Sequence, residues 1–252
     1  DLYSSRGLGD VYKRQSTIIS ERAKTAKFGR SLFQRLLEND FDFISLSIQY
    51  RMLSGIRHFP SRFFYNGILV DDLSLSSEEM MNQMWPSEPY LLFDTRDTFE
   101  ARVNRGSVVN LFEVCLILSL LKCFISMNPG TTLQNIAVIT PYREQKDLIE
   151  QTLRATFKRS SSFPSVSTVD GFQGKECEFV IVSCVRATNN IGFLSDAQRL
   201  NVALTRAKKR CWILGNLNSL SKDKIWRYVV EDAVSRLCII CLLYTSDAAD
   251  ER

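Results

Sequence analysis

The sequence predicts an α/β domain, a parallel sheet with helices on both faces. Three observations carry that prediction. The β-like runs YLLF (90–93), IAVIT (136–140), FVIVSCV (179–185) and CWIL (211–214) are continuously apolar instead of alternating, as strands covered on both faces are. Segments of helical periodicity separate them along the chain. The 252 residues, 45% hydrophobic and 24% charged, are enough to bury a sizeable core in one large domain or two small ones.

Taken in order, FGRSLFQRLLEN (28–39) places Phe28, Leu32 and Leu36 with Phe33 and Leu37 on one helical face, and FISLSI (43–48) follows as a β-like run. The most apolar segment, 108–127, is broken by Glu113 and Lys122, whereas a membrane span needs roughly 20 mainly apolar residues. It reads as a buried helix, and no membrane is expected. Further helices are predicted over 142–157, 197–209 and 222–237, and the stretches 71–89 and 159–165 read as surface insertions.

The formal net charge of +4 permits an anionic partner without demanding one. Seven cysteines match neither CxxC metal pairs nor a disulfide framework, which points to a reducing intracellular compartment and to thiols that fill the core. The one histidine, His58, has no serine or cysteine partner motif, and a structural role is expected for it.

The two ends read differently. DVYKRQ (10–15), back-translated and reverse-complemented one base out of frame, encodes CLLYTS (241–246), and two ends of one natural domain have no physical reason to encode each other. Residues 1–15 and 241–252 are therefore expected to be translated sequencing adapter, and 16–240 to be the domain, a piece of a longer protein.

The stretch VSTVDGFQGKECEFVIVSCVRA (166–187) sets a polar turn between two apolar runs. Its GFQGKE resembles the end of a GxxxxGK[ST] phosphate loop but fails on spacing, on Glu176 where a hydroxyl belongs, and on the strand that follows. The sequence has no other phosphate loop and no strand-ending DExx pair, so it cannot hydrolyse a nucleoside triphosphate alone by the P-loop route.

QYRM (49–52), FPSRFFYNGIL (59–69), ITPYREQ (139–145), the 166–187 stretch and RLNVALTRAKKRCWILGN (199–216) together resemble, in order and spacing, the second RecA-like lobe of superfamily 1B helicases of the up-frameshift, Sen1 and senataxin group. The similarity covers about 28–230. Leu53 and Ser54 stand where the family has His-Pro after QYRM, and Gly106 and Ser107 where it has Glu-Ala after an Asn-Arg pair.

The resemblance implies a RecA-like, P-loop NTPase-type sheet, an ATP-dependent RNA or DNA helicase as parent, and ATP with Mg2+ as cofactor, its magnesium ligands on a first RecA-like lobe upstream. Tyr50 matches the aromatic beside the base and Glu176 the acceptor from the ribose. Arg51 and Arg206 match the arginines that reach the terminal phosphates, where an always-charged planar guanidinium stabilises charge on phosphoryl oxygens. Gln173 matches a residue near the phosphates, and Asp170 is expected to position the turn. Thr140 and Thr168 match strand-end contacts to a single-stranded RNA or DNA backbone, with Pro141, Tyr142 and Arg143 beside them. The implied residence is intracellular, in nucleus or cytoplasm. The rival expectation is a non-catalytic binding module derived from a helicase lobe.

Overall fold

A computed structural model describes residues 18, 20–42, 44, 46–75, 87–103, 107–158, 162–188 and 190–242. Its centre is a six-stranded sheet, every neighbouring pair parallel. In chain order the elements are α1 (Glu21–Thr25), α2 (Leu32–Leu37), β1 (Ile48–Gln49), α3 (Ser54–Phe64), β2 (Val70–Asp71), β3 (Tyr90–Asp94), β4 (Ala101–Arg102) and β5 (Val108–Val109). There follow α4 (Leu111–Met127), β6 (Ile136–Thr140), α5 (Arg143–Thr156), β7 (Ser165–Thr168), β8 (Cys177–Ser183), α6 (Ala197–Leu204), β9 (Ala207–Gly215), α7 (Leu217–Leu220), α8 (Lys224–Ser235) and β10 (Ile239–Cys241). The sheet order is β10-β3-β9-β8-β6-β7.

The continuous apolar strands are buried on both faces, as expected of a covered parallel sheet. Alternate side chains divide between two cores. Leu92, Ile139, Val180, Val182 and Ile213 join the face covered by α3, α6 and α8, with Ile56, Phe59, Leu200 and Trp226. Phe93, Val138, Phe179, Ile181 and Trp212 join the opposite face, under Ile117, Leu121 and Phe124 of α4 and Ile149 and Leu153 of α5. Side-chain caps start α4, α6 and α8: Asn110 accepts from Glu113 N, Asp196 from Gln198 N and Arg199 N, and Asp223 from Ile225 N and Trp226 N.

Trp212 anchors the second core, 1% exposed and with ring centroids 4.6 Å from Phe179, 5.3 Å from Phe93 and 5.8 Å from Phe124. Its buried indole N–H has no hydrogen-bond partner among the described residues. Trp212→Ala should therefore cost about 3–5 kcal/mol in urea unfolding. Trp212→Phe should cost markedly less, since it also removes the orphaned donor.

Several elements differ from the sequence expectations. The helix expected over 28–39 is only α2, and Phe28 and Leu32 are 74% and 67% exposed. A helix so short has little stability of its own. Of the run 43–48 only Ile48 is strand, paired with Val70 outside the main sheet, while residues 43 and 45 lie outside the described ones. The helix expected over 197–209 ends at Leu204, because from Ala207 the chain forms β9 and Ala207 pairs with Cys177, Arg210 with Phe179. Val108–Val109 pairs antiparallel with Ala101–Arg102 before α4 begins.

The edge strand β7 and helix α3 add to the elements read from the sequence. α3 starts at Ser54 with Leu53 at its N-cap and no side-chain cap, so the His-Pro departure does not prevent a helix there. Gly106, in the second departure, lies outside the described residues. β10 runs one residue past the expected boundary at 240, pairing Cys241 with Asp94; residues 1–17 and 243–252 lie outside the described ones. So do 76–86 and 159–161 of the two expected insertions. Cys184, Cys211 and Cys238 are buried free thiols, whereas Cys115 and Cys241 are exposed. His58 Nδ1 lies 3.0 Å from Asp232 Oδ1. Among the described residues no helix is long and apolar enough to cross a membrane.

Candidate nucleotide and nucleic-acid site

Gln49 shapes the QYRM turn from within. Its Oε1 accepts from Arg51 N at 2.9 Å and Met52 N at 2.8 Å, and its Nε2 donates to Met52 O at 2.7 Å and to Asp71. Met52 and Leu53 are buried, and Leu53 N donates to Lys208 O at 2.9 Å, fastening the turn to the start of β9. With its neighbours so anchored, Tyr50 is left 67% exposed, a ring open to a flat ligand. Arg51 reaches across to the polar turn.

That turn leaves β7, makes one tight turn over Asp170–Phe172 and enters β8 at Cys177. Phe172 is its buried anchor, and Gly174 takes φ +81, a left-handed conformation that favours glycine. Asp170 is gripped by Arg199 of α6 through Nε at 3.1 Å and Nη2 at 3.0 Å, with the Arg199 guanidinium over the Phe193 ring. The turn thereby delivers Glu176 beside two cations. Arg51 Nε lies 2.7 Å from Glu176 Oε2 and Lys208 Nζ 2.7 Å from Oε1. Hydrogen bonds from Lys208 and Arg51 hold the Glu176 carboxyl below its usual range against a smaller effect of burial.

Arg206 stands at the junction of α6 and β9, 4% exposed. Its guanidinium donates to Val202 O at 3.0 Å, Lys175 O at 3.1 Å and Thr205 Oγ1 at 3.4 Å. Among the described residues no carboxylate pairs with it. Burial, with the neighbouring charge of Arg51, pulls its pKa down to about 10. Arg51 in turn donates to Thr205 O at 3.1 Å. Two cations thus share one carboxylate, and the third and most buried, Arg206, has no paired carboxylate among the described residues. A buried charge without a paired counter-ion is costly, and an anionic group placed beside Arg206 and Arg51 would lower that cost.

Thr140 and Thr168 end β6 and β7 side by side in register. Thr140 is fully buried and its Oγ1 has no partner among the described residues, while Thr168 Oγ1 accepts from Gly171 N at 3.1 Å. Pro141 is half-buried. Tyr142 is buried, its hydroxyl 3.5 Å from Ile191 O and its ring edge-on to Phe193, so it packs instead of opening a stacking face. Gln173 is exposed on the turn that joins this strand-end group to Glu176. The structure therefore joins Arg51, Glu176 and Arg206 in one cluster with Tyr50 on its rim, and sets Thr140, Pro141, Tyr142 and Thr168 at neighbouring strand ends.

Sequence reasoning missed Lys208 as a partner of Glu176. The signal was the two-residue period of a strand starting at Ala207, hidden by the helical pattern drawn through 197–209. Gln49 was quoted in its motif without a role. Among the described residues no group of three or more His, Cys, Asp or Glu could hold a metal ion.

The profile of a family described as an AAA domain matches residues 28–218. The chain is similar to the Homo sapiens protein named "Probable helicase senataxin", 36% identical over 247 residues, which cover 92% of this chain and 9% of that one. It is 36% identical over 244 residues to "Helicase SEN1" of Saccharomyces cerevisiae, covering 92% and 11%. With the "Regulator of nonsense transcripts 1 homolog" of Neurospora crassa it shares 34% identity over 243 residues, covering 92% and 22%. The chain spans about a tenth of the length of the first two.

Proposed function

Because the chain belongs to the AAA-domain family of superfamily 1B helicases of the senataxin, Sen1 and nonsense-transcript-regulator type, we propose that it is the C-terminal RecA-like lobe of an ATP-dependent helicase. The parent moves on single-stranded RNA or DNA, inside the cell, in nucleus or cytoplasm. A first RecA-like lobe of the same parent supplies the phosphate loop and the magnesium ligands; residues 16–240 are the native part of this piece.

One observation carries the reading: Arg206, buried with no paired carboxylate among the described residues, beside Arg51, which is within reach of the same space. ATP with Mg2+ supplies the transferable phosphoryl group. Arg206 and Arg51 place two fixed positive charges where charge gathers on the phosphoryl oxygens, at no reorganisation cost for the buried one. Gln173 stands near the same phosphates. Glu176, already oriented by Lys208, accepts from a ribose hydroxyl, and the exposed Tyr50 ring packs on the base. Thr140, Pro141, Tyr142 and Thr168 form the strand-end edge of a groove that contacts backbone phosphates irrespective of sequence.

The chain alone should hydrolyse ATP at the background rate, with or without single-stranded RNA, in a phosphate-release assay; robust turnover by the isolated chain would sink the assignment of a missing lobe. The rival reading, a binding module without a motor cycle, is disfavoured by the arginine cluster, since a strand binder has no use for a buried guanidinium without a paired carboxylate among the described residues. A parent that binds strands but never hydrolyses ATP would restore it.

A further inference from the structure

The first turn of α4 holds a carboxyl group that the nucleotide cluster does not use. Glu113 is fully buried. Val185 N lies 3.0 Å from each of its oxygens, and Ser183 Oγ lies 2.5 Å from Oε2. Val185, just beyond the end of β8, has φ +70. A β-branched residue rarely adopts that conformation, and it persists only where its surroundings impose it.

Both polar groups of Val185 are held from the start of one helix. Asn110, the N-cap of α4, donates through Nδ2 to Val185 O at 3.2 Å, and its Oδ1 accepts from Glu113 N at 3.1 Å. Gln145, in the first turn of α5, closes the cluster. Its Oε1 accepts from Asn110 N at 2.9 Å, and its Nε2 donates to Asn110 O and Ser183 Oγ, each at 3.2 Å. The Val185 side chain packs with Val108 and Tyr142, and the next residue, Arg186, pairs with Glu100 at 3.0 Å.

We propose that Glu113 is a positioning residue, holding Val185 in its left-handed turn and, through the Val185 side chain, setting Tyr142 and the Thr140–Tyr142 edge of the groove. The second half rests on the reading of that edge as nucleic-acid-binding; the first half does not. Burial pushes the carboxyl up to about 8, so near neutrality it is an acid that accepts from Val185 N–H and donates to Ser183 Oγ. A glutamine amide offers the same acceptor and donor.

The test uses the chain as it stands, with amide hydrogen exchange at Val185 and binding of a fluorescein-labelled oligouridylate as paired readouts. Glu113→Met should speed exchange at Val185 and weaken binding, each by about tenfold, the loss of roughly one buried hydrogen bond. Glu113→Gln should stay within about twofold of the parent in both. Ser183→Ala should lower the melting temperature yet leave Val185 exchange unchanged, which a merely structural role for the cluster would not produce. Should Glu113→Met fail to fold, Glu113→Asp, one methylene short of Val185, takes its place with the same expectation.

Unchanged Val185 exchange in Glu113→Met, or in Glu113→Asp where that variant stands in, overturns the proposal. So does Glu113→Gln behaving like Glu113→Met. If the unsubstituted chain binds no strand, the groove reading fails with the second half of the proposal, and Val185 exchange alone decides the first half.

Discussion

Replacing Arg206 by alanine in the two-lobed parent should lower the ATP turnover number by about three orders of magnitude, the lower end of what arginines contribute to phosphoryl transfer. The strand affinity should stay within about twofold, because Arg206 lies in the cluster with Arg51 proposed to meet the nucleotide, and not at the strand ends. The same substitution should leave thermal stability equal or raised. Arg206 is buried with no carboxylate partner among the described residues and has its pKa pulled down to about 10, so the fold holds its charge at a cost. Loss of turnover together with loss of melting temperature would instead mark Arg206 as a structural cation. Steady-state ATPase and thermal denaturation of the same preparation distinguish the two.

The second large effect is a pH dependence of stability set by Glu113. Desolvation raises its carboxyl from 4.5 to about 8, outweighing the hydrogen bonds from Ser183 and Val185 that favour the ionised form. The unfolded chain releases this proton near pH 4.5, and the folded chain keeps it to about 8. Between those values the folded state binds more protons, so stability falls as pH rises, by an amount on the order of 4–5 kcal/mol over the whole span. Above about pH 8 both states are ionised and this contribution levels off. Cys184 beside it is pushed well above the thiol range and stays neutral throughout the window. Urea unfolding at a series of pH values should show this decline in the parent and its loss in Glu113→Gln. A slope that survives the substitution would assign it to another group.

Much of the candidate site was legible because its motifs are local. The QYRM turn and the GFQGKE turn each place their candidate residue by bonds within a few positions, as when Gln49 folds back on Arg51 and Met52. Strand runs such as IAVIT were legible to the residue, since β6 is Ile136–Thr140. The strand β9 was misread at its start because Ala207, Lys208 and Lys209 have ordinary helix propensity, and only pairing with Cys177 and Phe179 overrides it. For the same reason Lys208 was not read as the residue that holds Glu176. The face read on 28–39 was amphipathic in pattern, but a pattern does not say whether a partner surface exists, and here Phe28 and Leu32 remain exposed.

The amino-acid sequence by itself determined the class of fold, the order of its main strands and the family to which the chain belongs. Those are consequences of apolar run length, spacing and short-range turn chemistry. The tertiary structure alone decided that Arg51 and Lys208 share Glu176, that Arg206 is buried without a paired carboxylate among the described residues, and that Glu113 reaches Val185 from 72 residues away. Burial and charge pairing depend on which distant segments a parallel sheet brings together, and no local pattern encodes that distance.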